Sequence, residues 1–252
     1  MNDNVSSELP IEAPADLYGA TNWLISAVIN TNDRSNLISI IDQFGEISTG
    51  YKLAKTLYQM YEQHKFETFL TALYDATHNP QHSESIRYQD MKEDLQNPTN
   101  ITFIAEIIAA SLHSQSVCCS AILGSYAGGI ISRQSRIEYK DRIVVSALKI
   151  MYDDDLSNFI KLYEFVSSHP DLHEPSFYEE LRIRDIVDKI ESLGVRSFEM
   201  ELTVEKLKSV QAIGYETGGY GCVGNAWGVF LFNENTHYLY NIVKKVHLNI
   251  NG

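Results

Sequence analysis

The sequence predicts a mainly α-helical protein, in which a helical bundle is followed by a small α+β winged-helix-like C-terminal unit. Apolar residues recur at spacings of three and four through most of the chain, which is the period of helices with one buried face. Of the 252 residues, 44% are hydrophobic, which is enough for a large core. Near the C-terminus, four glycines within residues 215–224 interrupt the helical pattern, and strand-forming residues follow them.

The pattern divides the chain into three parts. Residues 1–15 contain two prolines and little periodicity, so we expect a loose N-terminal tail. Residues 16–170 form the predicted bundle, which ends in a proline-containing break over 169–175. Residues 176–252 form the predicted winged-helix-like unit.

The first part of the bundle begins with a short predicted helix over 16–29. Asp33 follows it and is placed to cap the next helix, because a carboxylate accepts hydrogen bonds from free N–H groups at a helix start. The longest helical signal runs over 35–77, with a kink or break predicted at Gly45 or Gly50.

The second part of the bundle contains a polar helix over 83–95 and an apolar helix capped by Thr99, with a break predicted at Gly128-Gly129. A further helix is predicted over 133–151. The aspartates at 153–155 are interpreted as a cap and solvated turn before the last bundle helix.

The stretch from Ile107 to Ser132 contains no Lys, Arg, Asp or Glu and is long enough to cross a bilayer. Its polar cluster at 113–116 would be costly in hydrocarbon. We therefore interpret it as a helix buried on most sides in a soluble bundle, with a membrane span as the alternative.

The C-terminal unit is predicted to begin with helices over 177–193 and 201–212, which end at Gly194 and Gly214. The glycine-rich turn and a strand around 229–232 come next. Asn233 or Asn235 is placed to cap a last helix that reaches Val246.

This order of elements resembles the winged-helix class. The segments that carry the resemblance are Val204–Gly214, a helix and a short strand after it, and Gly228–Leu239, a wing strand and a final helix. More loosely, the whole chain is similar to uncharacterised bacterial and phage helical proteins that end in such a unit. The resemblance implies a setting in phage or host defence, and a fold alone does not determine a function.

Charge and cysteine content narrow the classes of partner and compartment. The formal net charge of −13 opposes binding to nucleic acid phosphates and to anionic membranes. After residue 175, ten acidic residues oppose eight basic ones. Three cysteines without a C-x-x-C pattern favour buried thiols in a reducing compartment, and no signal-peptide pattern occurs at Met1–Pro10, so we expect a cytoplasmic protein.

Candidate catalytic and metal-binding patterns are weak. A phosphate-binding loop requires a Lys after its last glycine, and the glycine-rich segment has none. The pairs His78/His82 and His169/His173 have metal-ligand spacing, but a proline interrupts each pair. We therefore predict no catalytic residue, no metal and no cofactor, and consider an enzyme the less favoured class.

Two groups of residues are candidates for protein contacts. Aromatic residues crowd the glycine-rich segment, and the tyrosines of the long helix add amphipathic rings. Basic residues spaced three and four apart should share one face of the predicted helix over 133–151. The aromatic candidates are Tyr215, Tyr220, Trp227, Phe230 and Phe232, and the basic candidates are Arg133, Arg136 and Lys140.

These patterns favour a non-enzymatic interaction protein, an adaptor or regulator of another protein that also self-associates. A winged-helix DNA-binding transcriptional regulator and a hydrolase with an unrecognised site are the alternatives. The identity of the partner does not follow from the sequence.

Overall fold

Most of the described chain is α-helical, as the sequence predicts. The computed structural model describes residues 17–31, 33–47, 58–78, 97–133, 137–168, 181–182, 187–214, 229–230 and 232–250. The helices are α1 (Leu17–Asn30), α2 (Leu37–Ile47), α3 (Tyr58–Thr77), α4 (Pro98–His113), α5 (Val117–Arg133), α6 (Tyr139–Ile150), α7 (Asp153–Ser168), α8 (Val187–Ser192), α9 (Ser197–Ser209) and α10 (Glu234–Ile250). The strands are β1 (Leu181–Arg182) and β2 (Val229–Phe230).

The first helices follow the predicted order. α1 coincides with the predicted helix over 16–29 to within a residue at each end. Asp33 caps the 3₁₀ turn that precedes α2, because its Oδ1 accepts a hydrogen bond from the backbone N–H of Ser35 at 2.8 Å. α2 and α3 divide the long signal over 35–77. A helix break does not occur at Gly45, because α2 continues to Ile47. Gly50, the other predicted position, and the predicted helix over 83–95 lie outside the described residues.

The uncharged stretch forms parts of two helices, α4 and α5, with a turn at residues 114–116. The side chain of Ser116 accepts a hydrogen bond from the N–H of Cys119 at 3.0 Å and so begins α5. At the other side of the turn, Lys65 of α3 donates to the carbonyls of Leu112 at 3.1 Å and Ser114 at 2.8 Å. This buried ammonium satisfies acceptors that the end of α4 leaves free.

The predicted break at Gly128-Gly129 is wrong, because α5 continues to Arg133. The glycines instead permit a close crossing of α3 and α5. A Cβ at Gly124 would lie 2.1 Å from the carbonyl oxygen of Phe69, and one at Gly128 would lie 2.6 Å from the Cβ of Ala76. The predicted cap of α4 also differs, since Asn97 rather than Thr99 is the N-cap residue.

One hydrophobic cluster joins the bundle helices to the helices after the proline-containing break. α10 packs against α5, α6 and α7, and α9 packs against α7. The largest buried apolar side chains include Phe66, Phe69, Phe103 and Phe159. The boundary predicted at 169–175 lies outside the described residues. No helix in the described ranges is both long and apolar enough to cross a membrane.

The C-terminal elements differ in part from the prediction. The predicted helix over 177–193 is wrong, because β1 lies within that range and α8 begins only at Val187. β1 pairs antiparallel with β2, with Leu181 opposite Phe230. α9 begins four residues earlier than predicted. The glycine-rich turn lies outside the described residues, so a complete winged-helix unit stays a prediction.

The start of α10 confirms the predicted cap. Asn233 Oδ1 accepts from the N–H of Thr236 at 3.0 Å, and Thr236 Oγ1 accepts from the N–H of Asn233 at 3.1 Å. Thr236 also donates to the carbonyl of Ala212 at 2.8 Å. This reciprocal capping therefore fixes α10 to the chain that follows α9.

Candidate functional site

A short turn, Leu193–Arg196, joins α8 to α9. Gly194 has a φ of 73°, a left-handed conformation that favours glycine, and its N–H donates to the carbonyl of Glu191 at 2.9 Å. Ile190 before the turn and Val195 within it are buried in the core. Two helices joined by a short glycine-containing turn are typical of a helix-turn-helix motif, in which the second helix faces a partner.

The inner face of α9 packs against the rest of the protein. Met200, Val204 and Leu207 are fully buried, and the hydroxyl-bearing Thr203 is buried between them. Their spacing of three and four places them on one side of the helix. This face anchors α9 and determines which side chains point away from the core.

A buried polar cluster fixes the register of α9 against α7. Thr203 Oγ1 donates to Asp155 Oδ1 at 2.8 Å and accepts from Asn158 Nδ2 at 3.2 Å. Asp155 Oδ2 accepts from the N–H of Tyr152 at 2.9 Å and forms an ion pair with Lys206. Asp155 is therefore part of an interior contact, which corrects the prediction that all three aspartates lie in a solvated turn.

The outer face of α9 exposes two large apolar side chains. Phe198 is 65% exposed and Leu202 is 47% exposed. They are four positions apart in sequence, so they are neighbours on the side of the helix roughly opposite Met200 and Val204. Burying such side chains on binding is favourable, by roughly 25 cal/mol for each Å² removed from water.

Tyr152 extends this apolar surface toward α7. Its side chain is 51% exposed, and the ammonium of Lys206 lies 4.2 Å from the centre of its ring. Lys206 is one turn after Leu202 on α9, so its side chain lies between the two helices. We call Phe198, Leu202 and Tyr152 the α9 surface.

The three basic side chains at the N-cap of α9 and within α9 are each paired with a carboxylate. Arg196 pairs with Glu199, Lys206 pairs with Asp155, and Lys208 pairs with Glu205 at 2.7 Å. The hydrogen bond from Arg196 lowers the pKa of Glu199 below its ordinary value. Glu201 on α9 and Asp154, two residues after Tyr152, make no ion pair with any described residue, so Glu201 leaves one border of the α9 surface acidic.

The predicted basic group does not form one helix face. Arg133 is the last residue of α5, whereas Lys140 lies in α6, which begins at Tyr139 rather than at residue 133. Arg136 lies outside the described residues. Lys140 pairs with Glu138 at 2.7 Å, and this hydrogen bond raises the pKa of the ammonium.

The predicted aromatic group is described only in part. Tyr215, Tyr220 and Trp227 lie outside the described residues, and Phe230 belongs to β2. Phe232 is half-buried and stacks on Tyr163 of α7, with ring centres 5.3 Å apart.

Tyr163 continues this stack into the interior. Its ring centre lies 3.7 Å from that of Tyr240, whose hydroxyl donates to Glu164 at 2.9 Å. The rings of Tyr163 and Phe232 therefore hold α7 and the start of α10 together. Phe232 therefore has a structural role.

The described thiols have little reactive character. Cys119 is buried, and burial raises the pKa of its thiol to about 12. Burial also raises the pKa of Cys118, and the Asp153 carboxylate contributes to the shift. A thiol that stays protonated is a poor nucleophile. Within the described ranges, no three His, Cys, Asp or Glu side chains form a group that could hold a metal ion.

Sequence reasoning missed the α9 surface because it began the helix at Glu201. That start excludes Phe198, and without Phe198 Leu202 has no apolar neighbour one turn earlier to mark a second face. The sequence does contain a signal for this surface, because apolar residues at helical spacing fall on two opposite sides of α9. One side carries Met200, Val204 and Leu207, and the other carries Phe198 and Leu202.

Comparisons with protein-family models, with curated protein sequences and with solved structures find no match for this chain.

Proposed function

We propose that this chain is a non-enzymatic interaction protein, an adaptor or regulator that binds another protein through the α9 surface. The observation that carries the proposal is the exposure of Phe198 and Leu202 on the second helix of the helix-turn-helix segment. The fold already has one hydrophobic cluster, to which these two side chains do not belong. Adjacent exposed apolar side chains on a rigid helix suit the centre of a protein interface.

The winged-helix-like arrangement of the C-terminal unit is part of this proposal. The order β1, α8, α9, β2, α10 and the pairing of β1 with β2 support it. In such a unit the second helix is the one presented to a partner. The sequence predicts that the glycine-rich segment forms the wing, and its Tyr220 and Trp227 are candidates for further contacts.

Duplex DNA is the alternative partner, because a helix-turn-helix segment is also a DNA-reading element. The charges of α9 oppose it. Lys206 and Lys208 already neutralise carboxylates of the protein, and DNA affinity depends largely on basic contacts to phosphates.

Site-specific photo-crosslinking in the native host tests the proposal. Phe198→p-benzoylphenylalanine should crosslink to a protein partner. Ile38→p-benzoylphenylalanine provides the matched control, because Ile38 is 61% exposed on α2, away from the α9 surface. Equal crosslinking at the two positions, or crosslinking to DNA at position 198, would contradict the proposal.

Self-association is a second part of the proposal, and it has its own measurement. Sedimentation over a range of micromolar concentrations should show a concentration-dependent oligomer. Tyr220→Ala and Trp227→Ala should weaken it if the glycine-rich segment contributes. A strict monomer at every concentration would remove this part and leave the α9 surface to a different protein.

A further inference from the structure

The charges around the α9 surface are distributed unevenly, and their arrangement identifies a class of partner. Looking across α9, Glu201 and Glu205 lie on one side of the Phe198–Leu202 pair, and Lys206 lies on the other. Beyond Lys206 comes Tyr152, and Asp154 follows two residues later in the chain, in the first turn of α7. The apolar side chains thus have the carboxylates of Glu201 and Glu205 along one border, and Asp154 is a further exposed carboxylate close to Tyr152 in sequence.

We infer that the α9 surface binds a basic amphipathic helix, a segment with an apolar stripe flanked by Lys and Arg. This inference rests on the proposed function and specifies its partner. An amphipathic partner helix carries apolar residues at positions i, i+3, i+4 and i+7, which form a stripe along one side. Such a stripe can pack along Phe198 and Leu202 and continue onto Tyr152.

The electrostatic part of the argument depends on which charges remain available. The cations Arg196, Lys206 and Lys208 are held by carboxylates of the protein itself. Glu201 and Asp154 have no such partner in the described part of the chain, so they can pair with incoming Lys or Arg side chains. The net charge of −13 further steers a basic segment toward the protein.

Two synthetic peptides of about 18 residues, roughly five helical turns, serve as probes. Both carry the same leucine stripe. One has lysines at the remaining positions, and the other has glutamates. Binding of each peptide to the full chain is measured by calorimetry at low and at physiological salt, beside a short duplex DNA.

We expect the lysine peptide to bind and the glutamate peptide not to bind. Phe198→Ala with Leu202→Ala should weaken the lysine peptide by roughly tenfold or more, since apolar anchors dominate such interfaces. Glu201→Gln with Asp154→Asn should weaken it severalfold and reduce its salt dependence.

Control substitutions on α2 separate specific docking from attraction to an acidic protein. Ile38→Ala with Asp42→Asn removes one exposed apolar side chain and one exposed carboxylate from a different surface. This variant should bind the lysine peptide as the unmodified chain does. Circular dichroism melting confirms that each variant is folded.

Three outcomes would overturn the inference. The first is equal binding of the lysine peptide to the α9 and α2 variants, which would indicate general charge attraction. The second is equal binding of both peptides, which would show that the partner helix need not be basic. The proposed function could still hold in that case, if a protein is crosslinked at position 198. The third is stronger binding of duplex DNA, lost with Lys206→Gln, which would favour the DNA alternative.

Discussion

α5 and α9 both carry apolar residues on more than one side, but the fold accounts for them differently. α5 is surrounded, and its glycines allow the backbone of α3 to approach closely. α9 buries Met200, Val204 and Leu207 and leaves Phe198 and Leu202 in water. The apolar character of α5 is therefore explained by folding, whereas the packing of the described residues does not explain the exposed apolar side chains of α9. The comparison separates residues that stabilise the chain from residues that are available for binding.

The largest expected effect lies at the α3–α5 crossing. Gly124→Ala would place a Cβ 2.1 Å from the carbonyl oxygen of Phe69, so one helix must move. We expect a loss of about 3 kcal/mol or more in the free energy of unfolding, measured by chemical denaturation.

Gly129→Ala is the matched control for that crossing, since nothing lies within 4 Å of its added Cβ. It should gain up to about 1 kcal/mol from helix propensity. Similar stability of the two alanine variants would show that the close crossing is wrong.

The next effect concerns the polar cluster between α7 and α9. Asp155→Ala leaves Thr203 and Lys206 without their carboxylate, and we expect a loss of about 2–3 kcal/mol, moderated because Lys206 can turn toward water. Asp154→Ala, the exposed neighbour in the same helical turn, should cost under about 0.5 kcal/mol. Equal losses would indicate only a helix-dipole effect.

Alkaline pH should destabilise the chain through Cys119. Burial raises the pKa of its thiol from 9.0 to about 12, so above pH 9.0 the unfolded chain releases a proton that the folded chain retains. Stability therefore falls as pH rises, by about 1.4 kcal/mol per pH unit for this group. Urea denaturation at pH 8 and pH 10.5 should show a smaller fall in Cys119→Ala. An unchanged fall in this variant would contradict the burial of Cys119.

The smallest effect is at the end of α9. Gln211 has a φ of 62°, which a residue with a Cβ adopts at a cost of about 1–2 kcal/mol. Its side chain also accepts a hydrogen bond from the hydroxyl of Tyr139 at 2.8 Å. Gln211→Gly should relieve the backbone strain but lose this hydrogen bond, so we expect only a slight rise in the melting temperature. Tyr139→Phe removes the hydrogen bond alone and so measures its contribution separately. A lower melting temperature for the glycine variant would show that the hydrogen bond outweighs the strain.

Local signals in the sequence predicted much of the fold. The caps at Asp33 and Asn233 and the extent of α1 follow from neighbouring residues alone. The turn at 114–116 did not, because part of its stabilisation comes from Lys65, which is far away in sequence. Gly128 was interpreted as a helix break because the reason for a glycine there, the close approach of α3, is a tertiary contact that the local sequence does not show.

The candidate site was less predictable than the fold. The predicted helix began at residue 201, four residues after the observed start, so Phe198 was left out of α9 and its pairing with Leu202 on the exposed side was missed. The ion pair between Lys206 and Asp155 joins two helices and cannot be read from either segment alone. The aromatic candidates Tyr215, Tyr220 and Trp227 stay predictions.

The most direct test of the central claim is the stability of a chain carrying both Phe198→Ser and Leu202→Ser. If the fold does not need these side chains, the free energy of unfolding should change by less than about 1 kcal/mol, because each of the two exposed positions should contribute at most about 0.5 kcal/mol. A loss of about 2 kcal/mol or more, typical of large apolar side chains removed from a core, would show that the chain itself covers them and would contradict the α9 surface.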